Sequence, residues 1–519
     1  MPGIHHVTGI TARVQANVDF YAGLLGLRLV KRTVNHEDAS ALHLFYGDGA
    51  ASPGTLISFF AWPGGSAGRR GHGQATELGL IVPRASIGYW TSRLIEHGVP
   101  FDGPTVDGTT TRLALSDPDG LAITLTGRPD APEGVEWQGS GVPGTHQVRG
   151  ISHVTLWTER PAETGAVLEE ILGFERSEEN EATTSYRVKA TLGNTVNVRD
   201  TSGFWSGGDG AGSLHHVAFR AAGVNDLTTV VELALQRGLP LSELKEHGYF
   251  QSRYFREPGG SLIEVATDGP GMALDEAPSE LGTRLVLPPD LELMRGDVEA
   301  VMPYFALPDE PRRPERDLGW IHRFVPGTSG LTLLVLHGSG GSETQLLPLA
   351  RRVAESANLL APRGRSTAEQ ALRYFARRPD GTFDQEELDH EADALTKFVG
   401  DAAALYGFDP QRVVILGYSN GAHVGTAALA RHPTSFAGAA LLRSVAPFGL
   451  PGHSALSGKP VLMLQGEGDH LLRDQADEKL AAYLQANGAS LQSTTVPGGH
   501  YLSAADESVL RPWLEGLGG

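Results

Sequence analysis

The sequence predicts two unlike halves: an α+β assembly of four βαβββ modules, followed by a domain built on a parallel sheet with crossover helices. Three observations carry this reading. A motif near the N-terminus recurs about 150 residues later, the residue pattern changes after Leu331, and a Gly-x-Ser-x-Gly turn joins an apolar run to a small-residue helix at Gly417–Gly421. The chain has 519 residues, too many for one core, since single cores stop growing near 250–300 residues.

The repeat comes first because it decides the fold of the N-terminal half. Gly3-Ile4-His5-His6-Val7-Thr8 returns as Gly150-Ile151-Ser152-His153-Val154-Thr155, and Leu24-Leu25-Gly26-Leu27 returns as Ile171-Leu172-Gly173-Phe174. The same twenty-residue spacing separates His6 from Gly26 and His153 from Gly173. Each copy reads as a strand, then a helix with apolar residues at helical spacing (Val18, Tyr21, Leu25; Val167, Ile171), then strands after the Gly that ends the helix. Two further modules share a late turn and strand, Asp117-Pro118-Asp119-Gly120 through Thr124 and Glu257-Pro258-Gly259-Gly260 through Glu264. The modules are expected near residues 3–64, 75–127, 150–202 and 213–267. A domain over 1–305 is expected to end in a helix near Leu291–Tyr304, with a linker at 306–317 rich in Pro, Arg and acids.

Among the modules, only the fourth combines an opening His pair, His215-His216, with a late carboxylate, Glu264; the second has Glu77 and Thr124 at the matching places. Glu264 alternates with Ile263 and Val265, so it points away from them, and a buried lone carboxylate needs a partner or a metal. A His, this Glu and a second His from another first strand make the two-His-one-carboxylate set that holds Fe(II) with positions open. The residues alone leave His6 and His153 as alternatives for the second His.

The four-module layout resembles the hydroquinone-type ring-cleaving dioxygenases of the vicinal oxygen chelate superfamily over about residues 1–300. The resemblance is carried by His5-His6-Val7-Thr8, Leu29–Asn35, His43–Asp48, Ser52–Thr55, Gly248-Tyr249-Phe250 and Tyr254–Gly260. It implies His6, His216 and Glu264 as ligands of Fe(II), with Mn(II) as the substitute, and a site shared by modules one and four. It implies surrounding roles for His5, Thr8, His215 and Tyr254 in orienting ligands and handling substrate protons. His247 stands where the family often has Arg, a titratable group in place of a fixed cation. The substrates implied are an aromatic diol and O₂. Rival expectations are a metal-free binding module, a catechol dioxygenase and a glyoxalase-type isomerase.

The second half, about 318–519, opens with the apolar strand Leu333–Leu336 running into His337-Gly338-Ser339-Gly340-Gly341. Val413–Leu416 then leads into Gly417-Tyr418-Ser419-Asn420-Gly421, the strand–turn–helix context in which this motif exposes a nucleophilic serine in an α/β-hydrolase fold. The chain order Ser, Asp, His is completed by Asp469 and His500, with His337 and His470 as the competing imidazoles. The oxyanion hole is expected at the backbone N–H groups of Ser339 and Asn420. With Leu336–Glu343 and Ala361-Pro362-Arg363-Gly364, this half resembles the phospholipase/carboxylesterase-like branch, which implies a small ester as substrate.

Composition narrows the partners. The net charge of −19 disfavours nucleic acid and anionic membranes, which select Lys and Arg clusters. The absence of Cys excludes thiolate metal sites and nucleophiles. With no leader-like start at Met1–Ile10 and no bilayer-length apolar run, a cytoplasmic enzyme acting on small molecules is expected. Homo-oligomerisation is left open.

Overall fold

The computed structural model describes residues 3–36, 38–180, 182–314, 316–379, 382–447, 449–470 and 476–517. It divides into two compact units, Met1–Glu292 with Pro303–Arg312, and Leu293–Met302 with Arg313–Gly519.

In the first unit every module forms a strand, a helix and three strands, and the modules pair out of chain order. Module four lies beside module one in one eight-stranded sheet, and modules two and three form the other. The strands Ile4–Thr11 and Leu214–Ala221 run antiparallel at the centre of the first sheet, with Thr8 opposite His216 and His6 opposite Ala218. The strand Leu262–Pro270 lies parallel to Leu214–Ala221, with Glu264 beside Ala218. His6, Ala218 and Glu264 therefore form one row across three strands. In the second sheet Gly150–Thr158 pairs antiparallel with Gln74–Pro83, which places His153 opposite Gly79.

The second unit holds a seven-stranded sheet in the order His322–Val325, Asn358–Pro362, Thr332–Leu336, Val413–Tyr418, Gly438–Leu442, Pro460–Gly466 and Ser490–Val496. All neighbours are parallel except the first pair. Helices cover both faces, so the central strands are apolar: Leu334 and Leu336 enter one core, Leu333 and Val335 the other. No helix of the described residues is long and apolar enough to cross a membrane.

The tail of the first half differs from expectation. The helix is shorter, Arg295–Val301, and belongs to the hydrolase unit, whereas Pro303–Arg312 returns to the first. The reason is packing. Ala300 is buried in the core with Leu347 and Ala350 of the helix Leu347–Val353, and Asp297 meets Arg352 of that helix.

Candidate active sites

In the first unit, His6 Nε2 and His216 Nε2 lie 3.1 and 3.0 Å from Glu264 Oε2. The three residues are buried, and their ligand atoms all fall within 4.8 Å of one another. His216 Nε2 and Glu264 Oε2 are buried without a hydrogen-bond partner despite these short separations. Two imidazole nitrogens and a carboxylate oxygen fit a divalent transition-metal ion such as Fe(II).

The surroundings hold the three groups in this pose. Burial opposes ionisation of Glu264, but the adjacent His6 and His216 keep its carboxyl well below the usual range. Tyr254 donates its hydroxyl to Glu264 Oε1 at 2.7 Å, which fixes the carboxylate and turns Oε2 toward the histidines. His5 and His6 meet Nδ1 to Nδ1 at 2.9 Å, and His215 and His216 do so at 2.8 Å. When a metal takes Nε2, each ring must carry its proton on Nδ1, so His6 and His216 would then donate to His5 and His215. Burial pushes His5 and His215 down to about 3, leaving them neutral acceptors for these bonds.

His247 joins the site, 3.9 Å from Glu264 Oε1 with Nε2 bonded to Ser252 Oγ, and burial lowers it to about 4. Thr8 is one step removed: its hydroxyl meets Ser58 Oγ, which in turn bonds His43 Nε2. His153 lies in the other sheet, 3.8 Å from Glu77, where among the described residues no second His or late carboxylate joins it. Its ring fills the space a Cβ at Gly79 would take, since such an atom would lie 2.1 Å from Nδ1.

A cavity of about 290 Å³ opens in front of His6 and His216, lined also by Asn35, His36, His43, Phe60, Trp62 and His247. His43 is a site residue that sequence reasoning missed. Its ring packs 4.1 Å from Phe45 and 4.4 Å from Phe60, and burial drives it well below the ordinary histidine value.

In the second unit the strand Val413–Tyr418 delivers Ser419 at φ 51°, directly before the helix Asn420–Arg431. The turn is tight enough to require glycine on its far side: a Cβ at Gly421 would lie 2.3 Å from the Leu336 carbonyl oxygen. Ser419 Oγ is 3.1 Å from His500 Nε2, and His500 Nδ1 is 2.9 Å from Asp469 Oδ2. The expected trio thus forms one continuous hydrogen-bonded line. Asn420 is the first residue of its helix, where the N–H has no acceptor within the helix, and Ser339 lies in the cavity wall beside Ser419. His337 is committed elsewhere, with Nδ1 2.8 Å from the Gly338 oxygen and Nε2 accepting from Gly364 N–H. His470 is exposed.

Arg443, which sequence reasoning also missed, grips the loop that carries His500. Its guanidinium donates to the oxygens of Gly499 and Tyr501, on either side of the histidine, and to Leu464 O. It also forms a fully buried pair with Asp506. Removing one partner of such a pair strands the other charge. Arg443→Gln is therefore expected to lower stability by about 3–5 kcal/mol, measured as a shift of the urea-unfolding transition assigned to this unit.

Comparison with known proteins agrees with this division. The Glyoxalase/Bleomycin resistance protein/Dioxygenase superfamily model matches residues 3–125 and 150–265. MhqO of Bacillus subtilis (strain 168), named as a ring-cleaving dioxygenase, is 36% identical over 297 residues, 57% of this chain and 94% of MhqO. The chlorohydroquinone/hydroquinone 1,2-dioxygenase of Sphingobium indicum is 27% identical, over 58% of this chain and 95% of that enzyme. MhqD of the same Bacillus strain, named as a hydrolase, is 34% identical over 194 residues, 37% of this chain and 97% of MhqD. Through its first unit the chain belongs to the Glyoxalase/Bleomycin resistance protein/Dioxygenase superfamily. It is a dioxygenase–hydrolase fusion.

Proposed function

We propose that the first unit cleaves the ring of a hydroquinone-type diol with O₂ at an Fe(II) centre held by His6, His216 and Glu264, with Mn(II) as the substitute metal. We propose that the second hydrolyses a small ester in the same cytoplasmic pathway of aromatic breakdown or quinone detoxification. The observation that carries the first reading is the convergence of three buried donor atoms, two of them without hydrogen-bond partners, on one point beside a cavity. A cavity of roughly 150 Å³ takes benzene, so about 290 Å³ suits a single-ring diol. The name of the Sphingobium indicum relative supports a para-diol over catechol.

An Fe(II) ion bound there would supply the redox chemistry of ring cleavage and leave positions for diol and O₂. The chain's own residues hold and shield the reactants. Tyr254 fixes the carboxylate, His5 and His215 fix the imidazoles, Phe60 and Trp62 wall off water, and His247 offers a ring nitrogen to a diol hydroxyl. In the hydrolase half, Ser419 is the nucleophile, His500 the base, Asp469 its orienting acid, and the Ser339 and Asn420 N–H groups receive the oxyanion.

Oxygen uptake by anaerobically purified full-length protein, reconstituted with Fe(II), tests the first reading. One iron per chain and faster uptake with hydroquinone than with catechol are expected. Faster uptake with catechol would reverse the substrate assignment. Substoichiometric iron after reconstitution would make the unit a binding module, and isomerisation of a hemithioacetal without oxygen uptake would make it a glyoxalase.

A further inference from the structure

Ser419 and His500 open into a cavity of about 730 Å³ whose wall carries Arg352, Arg373 and Arg377, with Glu507 as the one carboxylate among the described residues that line it. This is a local excess of positive charge in a chain of net charge −19. Arg352 does not contribute to it, because Glu507 and Asp297 both bind its guanidinium. That leaves Arg373 and Arg377.

Arg373 is held in place through its backbone neighbours. Leu372 O accepts from Gly340 N–H at 2.9 Å, and Tyr374 N–H donates to Asn420 Oδ1 at 2.7 Å. The segment is thereby tied on one side to the Gly-rich turn after Ser339 and on the other to the residue that follows the nucleophile. The side chain is 13% exposed and pairs with Glu369, itself 48% exposed and four residues away. Such a surface pair is weak. Glu369 binds Nη2 of Arg373, and the guanidinium, which lines the cavity, has further N–H donors for an anionic oxygen. Arg377 lies four residues further along the same irregular segment, exposed at the rim and stacked 5.6 Å over Phe383.

We propose that the hydrolase half selects an ester whose acyl part carries a carboxylate, received by Arg373 and Arg377. The proposal rests on the reading of Ser419 as nucleophile and names the substrate class for that site. Ser419 Oγ bonds to the acyl carbon as its proton passes to His500 Nε2, and the alcohol leaves with that proton. Water, deprotonated by the same nitrogen, then releases a diacid. Ring opening next to a hydroxyl places both atoms of O₂ in the product, one completing a carboxyl group and the other an aldehyde. A carboxylate-selective site would thus suit material derived from the first unit's reaction.

Methyl hydrogen succinate and methyl butyrate test this, since one bears a carboxylate where the other bears a methyl group. In pH-stat assays of the full chain, kcat/KM for the succinate ester is expected to exceed that for butyrate by about tenfold or more. That ratio is expected to fall about ten- to a hundredfold in Arg373→Met/Arg377→Met, chiefly through KM for the succinate ester. Arg377→Met alone, at an exposed position, keeps the test available should the double variant fold poorly, and is expected to lower the same ratio. Added salt should raise KM for the succinate ester and leave KM for butyrate nearly constant. A wild-type ratio at or below one, or a ratio that neither variant moves, would overturn the carboxylate assignment while methyl butyrate hydrolysis upholds the serine hydrolase. Loss of both ester activities in wild type would instead overturn the hydrolase reading and this proposal with it.

Discussion

Glu264→Gln is expected to remove metal binding and ring cleavage while leaving the fold intact. The change is isosteric and Oε1 can still accept from Tyr254, so the eight-stranded sheet loses no volume and no strand pairing. What it loses is the anionic donor that faces His6 and His216. Residues that merely support a metal ligand cost 10–100-fold when removed, so a direct ligand should cost at least about 100-fold in metal affinity and in kcat/KM. The change does not stabilise the metal-free fold. His6 and His216 hold the Glu264 carboxyl well below its usual range, so the fold favours its ionised form, and a neutral amide forgoes that contribution at neutral pH. Metal-free Glu264→Gln should therefore melt at or below metal-free wild type, and Fe(II) should raise the melting temperature of wild type alone. An equal Fe(II)-induced rise in the variant would remove Glu264 from the ligand set.

Sequence made the hydrolase site legible because its parts are local and ordered. The serine elbow is set by five consecutive residues, and the acid and base follow in sequence on loops after the last strands. The first site is built differently. His6 and His153 occupy equivalent places in equivalent modules, and the residue before each, His5 against Ser152, does not by itself say which one binds. What separates them is which strand becomes the neighbour. Module one pairs with module four, so His6 shares a row with Glu264, whereas His153 pairs across module two and meets Glu77. Resemblance to relatives carries that long-range pairing; periodicity does not.

His43, Arg443 and Arg373 were out of reach for a related reason. His43 sits mid-strand among aromatics, where a packed imidazole is as ordinary as a site residue. Arg443 and Arg373 follow no motif: Arg443 meets partners 56 and 63 positions away, at Gly499 and Asp506, and Arg373 is placed through its neighbour Tyr374, whose N–H meets Asn420 46 positions along the chain. The helix Arg295–Val301 fails the same test. Its own seven residues do not say that Leu347 and Ala350 will cover Ala300.

Asp469→Asn is expected to reduce ester hydrolysis by about 10⁴-fold in kcat with KM nearly constant. The side chain of Asp469 is 1% exposed, and its Oδ2 accepts from His500 at 2.9 Å, which leaves the free nitrogen of the ring toward Ser419 Oγ at 3.1 Å. An asparagine can turn its amide N–H toward Nδ1 and stabilise the opposite tautomer, with the proton on Nε2. His500 would then present a proton to Ser419 where a lone pair is needed, and no general base remains. Ser419→Ala should fall to a similar floor, set by the oxyanion donors and binding alone, and the double variant should fall little further, because the three side chains act as one unit. Losses in Asp469→Asn and Ser419→Ala that multiply in the double variant would mean that Asp469 acts on something other than the imidazole's tautomer. Arg443 separates orientation from tautomer: it holds the His500 loop through Gly499 and Tyr501 without touching the ring. Its loss should loosen the 3.1 Å approach to Ser419 while leaving the Asp469 bond to set the proton, so raising pH should not restore the activity lost.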